Sequence, residues 1–243
     1  MTELATTAGT LLGGRVRHAQ PCRGHRSGLE PVLLAAAIPA RPGARVLEGG
    51  TGAGSALLCL AARVAGISGV GIERDPAMAE LARRNLAENG CVGLEIATGD
   101  LTSWRGAGGF DHAFANPPWH AEAATASPDV RRDAARRANP ALLEAWARAL
   151  AGALRRRGTL TLILGADHLA VGMAAVAAAG CGSPAILPLW PKLGRPARLV
   201  VVQAIRGGRG PSRVMPGLVL HEADGRFTAA AEAILRDGQA LTV

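Results

Sequence analysis

The chain has 243 residues, 49% of them hydrophobic, which is enough for one α/β domain and short for two. Its net charge of +8 is almost all arginine, since Lys192 is the only lysine; a phosphate-rich partner suits that balance, and GC-rich coding bias accounts for part of it. No apolar run reaches membrane-spanning length, no charged leader opens the chain, and the scattered Cys22, Cys59, Cys91 and Cys181 lack any C-x-x-C pair, so a cytoplasmic protein with reduced thiols is expected.

Residues 1–13 carry little pattern and are expected to form a loosely docked tail. From Gly14 to Gly28, Arg15, Arg17, Arg23 and Arg26 share a Pro/Gly-broken stretch with His18 and His25. This is either a basic lip for a nucleic acid or a solvated arginine-rich hairpin. His18, Cys22 and His25 have no fourth ligand in register, so no metal is expected. Glu30 then precedes a short helix, Pro31–Ile38, with proline in its first turn. Residues 1–40 thus read as a basic segment and short helix packed on the core, and 41–243 as one Rossmann-like domain.

After the turn Arg41–Ala44, a buried strand, Arg45–Glu48, runs into Gly49-Gly50-Thr51-Gly52-Ala53-Gly54 and a helix over Ser55–Val64. Strand, glycine turn and helix form the context in which a glycine signature points to a nucleotide-like ligand, because glycine lets backbone approach the ligand closely. The second strand, Gly69–Ile72, ends on Glu73. A carboxylate there can accept both hydroxyls of an adenosine ribose; the alternative is an exposed acid next to a helix. Asp75-Pro76 opens a helix that runs to Asn89 and stops at Gly90. A third strand, Leu94–Thr98, is followed by Asp100, placed either to accept from an adenine amino group or to cap a loop.

The fourth strand, His112–Ala115, delivers Asn116-Pro117-Pro118-Trp119. Two prolines stop the strand and stiffen the backbone. The Asn116 amide and the Pro117 carbonyl become rigid acceptors beside an aromatic face, which suits an amine held at two points and stacked on a ring. Four strands therefore present polar groups at their C-terminal ends, where open α/β sheets bind ligands.

Residues 120–138 are polar and turn-rich, with Arg131-Arg132 and Arg136-Arg137 either gripping a substrate or lining a solvated helix. Asn139-Pro140 caps a helix to about Arg156, Gly158–Leu164 is a fifth strand, and Asp167–Ala179 is a helix ended by Gly180. Ala185–Leu187 and Arg198–Ile205 are further strands, with Trp190–Arg195 expected as the hairpin turn between them. Arg206–Gly210 is a loop only weakly similar to an RGG-type RNA contact, Leu218–His221 an edge strand and Phe227–Arg236 a closing helix.

Together these motifs resemble the class I S-adenosylmethionine-dependent methyltransferases. Within that class the chain from about Leu11 resembles the bacterial tRNA(Val) adenine-N6 methyltransferase family, through Arg26–Leu34 ahead of the glycine loop and through the tail around Leu218–Glu222. The resemblance implies a Rossmann-like α/β fold with a seven-stranded, mostly parallel sheet and helices on both faces. S-adenosylmethionine would be held by Gly28, Glu30, Glu48, Gly50, Gly52, Gly54, Glu73, Asp100 and Asn116. Asn116, Pro117, Pro118 and Trp119 would serve catalysis. Arg15, Arg17, Arg26, Arg131, Arg132, Arg136 and Arg137, with Trp119, would meet an RNA, a tRNA above all. Three departures stand out: Glu48 and Glu30 where the family usually has Asp, and Trp119 where it has Tyr.

Other acceptors remain open. The same tetrapeptide serves guanine-N2 methylases of rRNA and glutamine-amide methylases of proteins, although the extra N-terminal domain usual in release-factor enzymes does not fit the ~40 residues ahead of the first strand. DNA adenine methylation would want a target-recognition domain. A non-catalytic RNA-binding relative should have lost its Asn or acids, and a nicotinamide dehydrogenase would leave Asn-Pro-Pro-Trp unexplained.

Overall fold

The structure, a computed structural model, describes residues 4–22, 28–118 and 140–243. The central sheet is built on β3 (Arg45–Gly49), whose Val46 and Leu47 are fully buried. On one side β3 pairs with β4 (Ser68–Glu73), and β4 with β5 (Leu94–Thr98). On its other side lie β6 (Phe110–Ala115) and β7 (Leu154–Gly165), all parallel. Then β9 (Leu199–Arg206) runs antiparallel between β7 and β8 (Cys181–Lys192). These are the seven expected strands, in the order β8-β9-β7-β6-β3-β4-β5. Two short strands, β10 (Arg213–Val214) and β11 (Leu218–His221), extend the sheet along the outer edge of β8, making it nine-stranded.

Helices cover both faces. One carries α1 (Glu30–Ala37), α2 (Ser55–Arg63), α3 (Pro76–Glu88) and the closing α6 (Ala229–Leu235); the other carries α4 (Pro140–Ala153) and α5 (Leu169–Ala178). Each face has its own apolar cluster, one around Leu33, Leu57 and Ile163 and the other around Leu47, Leu150 and Leu162. A fully buried Leu or Ile contributes roughly 1.5–3 kcal/mol, so the two clusters hold the sheet rigid beneath its loops. Local chemistry sets the helix starts: Asp75 accepts from the Ala77 and Met78 N–H groups at 2.8 and 3.4 Å, and Thr228 from that of Ala231 at 3.1 Å.

The N-terminal segment departs from expectation. It is a hairpin, β1 (Thr6–Leu11) and β2 (Val16–Pro21), turned by Leu12–Gly14 and docked through buried Leu12 and Val16. What docks it is a pair of amides on α3. Asn85 accepts from the Ala19 N–H and donates to the Ala19 carbonyl, both at 3.0 Å. Asn89 does the same for Arg17, at 3.0 and 2.7 Å. Four helical residues rise about 6.0 Å and two strand residues about 6.6 Å, so amides at i and i+4 match alternate residues of a strand.

Elsewhere the differences concern bounds. β7 begins at Leu154, where a helix was expected to continue to Arg156, because α4 stops at Ala153. β8 runs on through Trp190 to Lys192, so the connection to β9 is residues 193–198, shifted three positions from Trp190–Arg195; the Trp190 indole N–H donates to the Pro216 carbonyl at 3.3 Å. Phe227 lies outside the last helix and stacks on His221 with ring centroids 4.8 Å apart.

Candidate active site at the C-terminal ends of the strands

The chain leaves β3 for β4 and β5 on one side and returns to its other side as β6. Loops from adjacent strands therefore part between β3 and β6, which opens a crevice above their C-terminal ends. The register is informative. Gly49 pairs with Ile72 on one side and Ala115 on the other, so Glu73 and Asn116 each stand one residue beyond the pairing, flanking Gly50. Glu73 in turn pairs with Thr98, two residues before Asp100.

Gly50, Gly52 and Gly54 all adopt left-handed backbone, with φ of 66°, 55° and 85°. A side chain is strained there. At Gly50 a Cβ would also lie 2.6 Å from the Trp146 ring of α4. The loop is pinned by carboxylates. Glu73 accepts from the Gly52 N–H at 2.8 Å with one oxygen and from the Asp75 N–H at 2.9 Å with the other. Each carboxylate oxygen still has a lone pair for a ligand hydroxyl.

Glu48 is only 4% exposed and accepts from the Thr51 hydroxyl at 2.5 Å. Burial pushes its carboxyl up to about 8, despite the opposing hydrogen bond from Thr51. A cationic ligand would draw that carboxyl back toward ionisation. Asp100 is exposed and closes its own turn, accepting the Thr102 hydroxyl and N–H at 2.6 Å each on one oxygen. Those bonds hold it below the usual carboxylate range. Its second oxygen has no hydrogen-bond partner among the described residues.

Asn116 is half-buried, Pro117 buried and Pro118 exposed. Trp119 lies outside the described residues, as do Arg26, Arg131, Arg132, Arg136 and Arg137. Glu30 opens α1 with its carboxylate folded over Gly28, where a Cβ would lie 2.5 Å from Glu30 Oε2. The two remaining arginines serve the hairpin's docking. Arg15 donates to the Asp237 carbonyl at 2.9 Å, and Arg17 uses its backbone on Asn89 while its side chain is exposed.

Three contributors escaped sequence reasoning. Asn85, fully buried, adds to its bonds with Ala19 a third, to the Ala53 carbonyl at 2.8 Å, and so couples hairpin and glycine loop. His18 is 2% exposed with Nε2 2.8 Å from the Ser55 hydroxyl at the start of α2; burial holds it down to about 4, neutral at pH 7. Thr51 holds Glu48. One signal was available: the chain has only four asparagines, and two of them sit four apart on α3.

Backbone stripped of side chains at three left-handed glycines, flanked by Glu73 and Asn116 and with Asp100 two residues beyond the neighbouring strand, fits an adenosyl group. The comparisons agree. Residues 31–145 match the methyltransferase small domain. The chain is 30% identical over 142 residues to a tRNA1(Val) (adenine(37)-N6)-methyltransferase of Bacteroides thetaiotaomicron, covering 58% of this chain and 60% of that protein. A 76-residue stretch is 42% identical to a ribosomal protein L11 methyltransferase of Myxococcus xanthus, 31% of this chain and 25% of that one. The chain thus spans less than two thirds of the length of either curated relative. Among solved structures, a predicted O-methyltransferase from Agrobacterium tumefaciens superposes with a TM-score of 0.73 at 26% identity, covering 88% of this chain and 98% of that one. Sequence, fold and cradle together resemble those of the class I S-adenosylmethionine-dependent methyltransferases, whose small-domain family matches residues 31–145 and whose Rossmann-like fold this chain shares.

Proposed function

We propose that the chain methylates N6 of an adenine in tRNA, in the anticodon loop of tRNA-Val. The observation that carries this reading is the register of β3 and β6, by which Asn116-Pro117 follows directly on the residue paired with Gly49, beside the glycine loop. Bound S-adenosylmethionine supplies an electrophilic methyl group. An aromatic amine is a weak nucleophile because its lone pair is delocalised into the ring. The Asn116 side-chain carbonyl and the Pro117 backbone carbonyl each accept one N6–H, favouring a nitrogen whose lone pair is free to attack. This is positioning and preorganised electrostatics, with no strong general base required. Trp119 stacks on the base, worth ~1–3 kcal/mol, and the proton released after transfer leaves to solvent. An unpaired loop adenine is the easiest base to admit.

The arginine-based charge of +8 and the named activity of the Bacteroides relative support an RNA acceptor. A protein acceptor is the second reading, favoured by the stretch shared with the ribosomal protein L11 methyltransferase. Incubation with radiolabelled S-adenosylmethionine and separate tRNA, rRNA, DNA and ribosomal protein pools decides between them. The expected result is label in tRNA, recovered as N6-methyladenosine; label confined to protein would overturn the adenine reading.

A further inference from the structure

The opposite end of the sheet carries a second feature. A cavity of about 970 Å³ lies there, lined by Arg156, Arg157, Arg206 and Arg209 with the glycine-rich loop 207–210 and Ser183. No carboxylate lines it among the described residues. Arg206 is committed to the fold, donating to the Gly152 carbonyl at 3.0 Å and to that of Leu154. Arg156, Arg157 and Arg209 are exposed and make no ion pair or side-chain hydrogen bond among the described residues. The acid nearest in sequence register, Asp111, is paired with Arg155 instead.

The backbone around this cavity is irregular in a specific way. Among the described residues three non-glycine positions have left-handed backbone, and two of them, Arg157 (φ 64°) and Ser183 (φ 54°), line it. Both sit at breaks in strand register, one between Phe110 and His112 on the β6–β7 ladder and one between Gly182 and Ala185 on the β8–β9 ladder. Bulges re-aim side chains at strand ends, and strained residues of this kind concentrate at binding sites. Across the gap Gly208 and Gly182 touch so closely that a Cβ on Gly208 would lie 2.7 Å from the Gly182 carbonyl. The Gly210 N–H donates to the Ser183 hydroxyl at 2.7 Å, fixing the loop against β8. The result is a bare backbone floor under three arginine forks.

We propose that this basal cavity binds phosphodiester groups of the RNA substrate, with Arg156, Arg157 and Arg209 as the phosphate ligands. Arginine forks meet phosphate oxygens bidentately, and several uncompensated guanidinium groups in one concavity call for a multiply charged anion. Along β7, Arg157 and Gly165 are about 26 Å apart at ~3.3 Å per residue, so the cavity is remote from the catalytic crevice. It would therefore hold the body of a folded RNA whose loop is presented at the other end. The proposal rests on the RNA reading above.

The test is equilibrium binding of a full-length unmodified tRNA-Val transcript across a potassium chloride series. Wild type is compared with the triple variant Arg156→Ala/Arg157→Gly/Arg209→Ala and with a control triple, Arg41→Ala/Arg195→Ala/Arg226→Ala, of equal charge loss. At ~0.7–0.9 per phosphate contact, the basal variant should flatten the log–log salt slope by about 2 and weaken binding at least tenfold at low salt. Its calorimetric affinity for S-adenosylmethionine should not change, which reports an intact fold, and the control should shift far less. If basal and control variants behave alike, or the basal variant matches wild type, the cavity is no RNA site although the RNA reading stands. If wild type fails to bind the transcript, both fall.

Discussion

The two ends of this sheet are built on opposite electrostatic terms. At the C-terminal ends of β3, β4 and β6, carboxylates and backbone N–H groups are interlocked, with Glu73 holding the glycine loop and Glu48 buried beneath it. At the other end, Arg156, Arg157 and Arg209 stand without a carboxylate partner among the described residues, around two bulges. The first end is preorganised for a compact ligand that must sit in one orientation. The second is open and positively charged, suited to a flexible polyanion that is attracted first and oriented later. On the two proposals above, chemistry and capture of a long substrate are separated by the length of a strand.

Three perturbations separate the ends, in order of expected effect. Asn116→Ala should lower turnover by two to three orders of magnitude while leaving tRNA affinity near wild type, the reverse of the basal arginine variant. Single-turnover assays with filter binding check both, and near-normal turnover would remove Asn116 from the chemistry. Glu73→Ala releases the Gly52 and Asp75 N–H groups and should weaken S-adenosylmethionine binding about tenfold in calorimetry, with tRNA binding unaffected. An unaltered cofactor affinity would sink the ribose assignment.

The smallest effect concerns Glu48, whose carboxyl is raised from 4.5 to about 8. Between those values the folded chain keeps a proton that the unfolded chain releases, so its contribution to stability is full at low pH and is lost as pH rises through the window. Glu48→Gln should lose this dependence. The melting temperature of wild type minus that of Glu48→Gln, followed from pH 5.5 to 8.5, should therefore fall with pH. His18 works the other way, since a pKa lowered to about 4 makes stability rise with pH between there and 6.5, but it is common to both proteins and cancels. A flat difference would mean that Glu48 is not buried as a neutral acid.

The elements around the glycine loop were legible in the sequence because their signals are local. A strand running into Gly50-x-Gly52-x-Gly54, an acid at the tip of the next strand and prolines ending β6 are each set by a few consecutive residues. A hairpin is one of two readings for Gly14–Gly28, but its first strand, Thr6–Leu11, reads as a loose tail because the Thr-rich β1 has no alternation, its residues being mostly exposed. Gly13-Gly14 was nonetheless a hairpin-turn signal. The Asn85 and Asn89 bonds join residues 66 and 72 positions apart, so the i, i+4 spacing of the two asparagines hints at a shared role while nothing local names the strand they hold. The basal cavity is likewise assembled from the start of β7, the end of β9 and the bend in β8. An arginine count says how much charge there is; only the fold says where it collects.

The amide ladder at the end of α3 has a consequence for the pairing of strand edges between chains. An unpaired strand edge is a template for another strand. Because Asn85 and Asn89 occupy the outward backbone groups of Ala19 and Arg17, β2 offers no such template on its inner side. The hairpin's free edge is β1, a short, solvent-facing run of Thr, Ala and Gly with little apolar surface to reward a partner. Two side chains thus seal a sheet edge that would otherwise need a further strand.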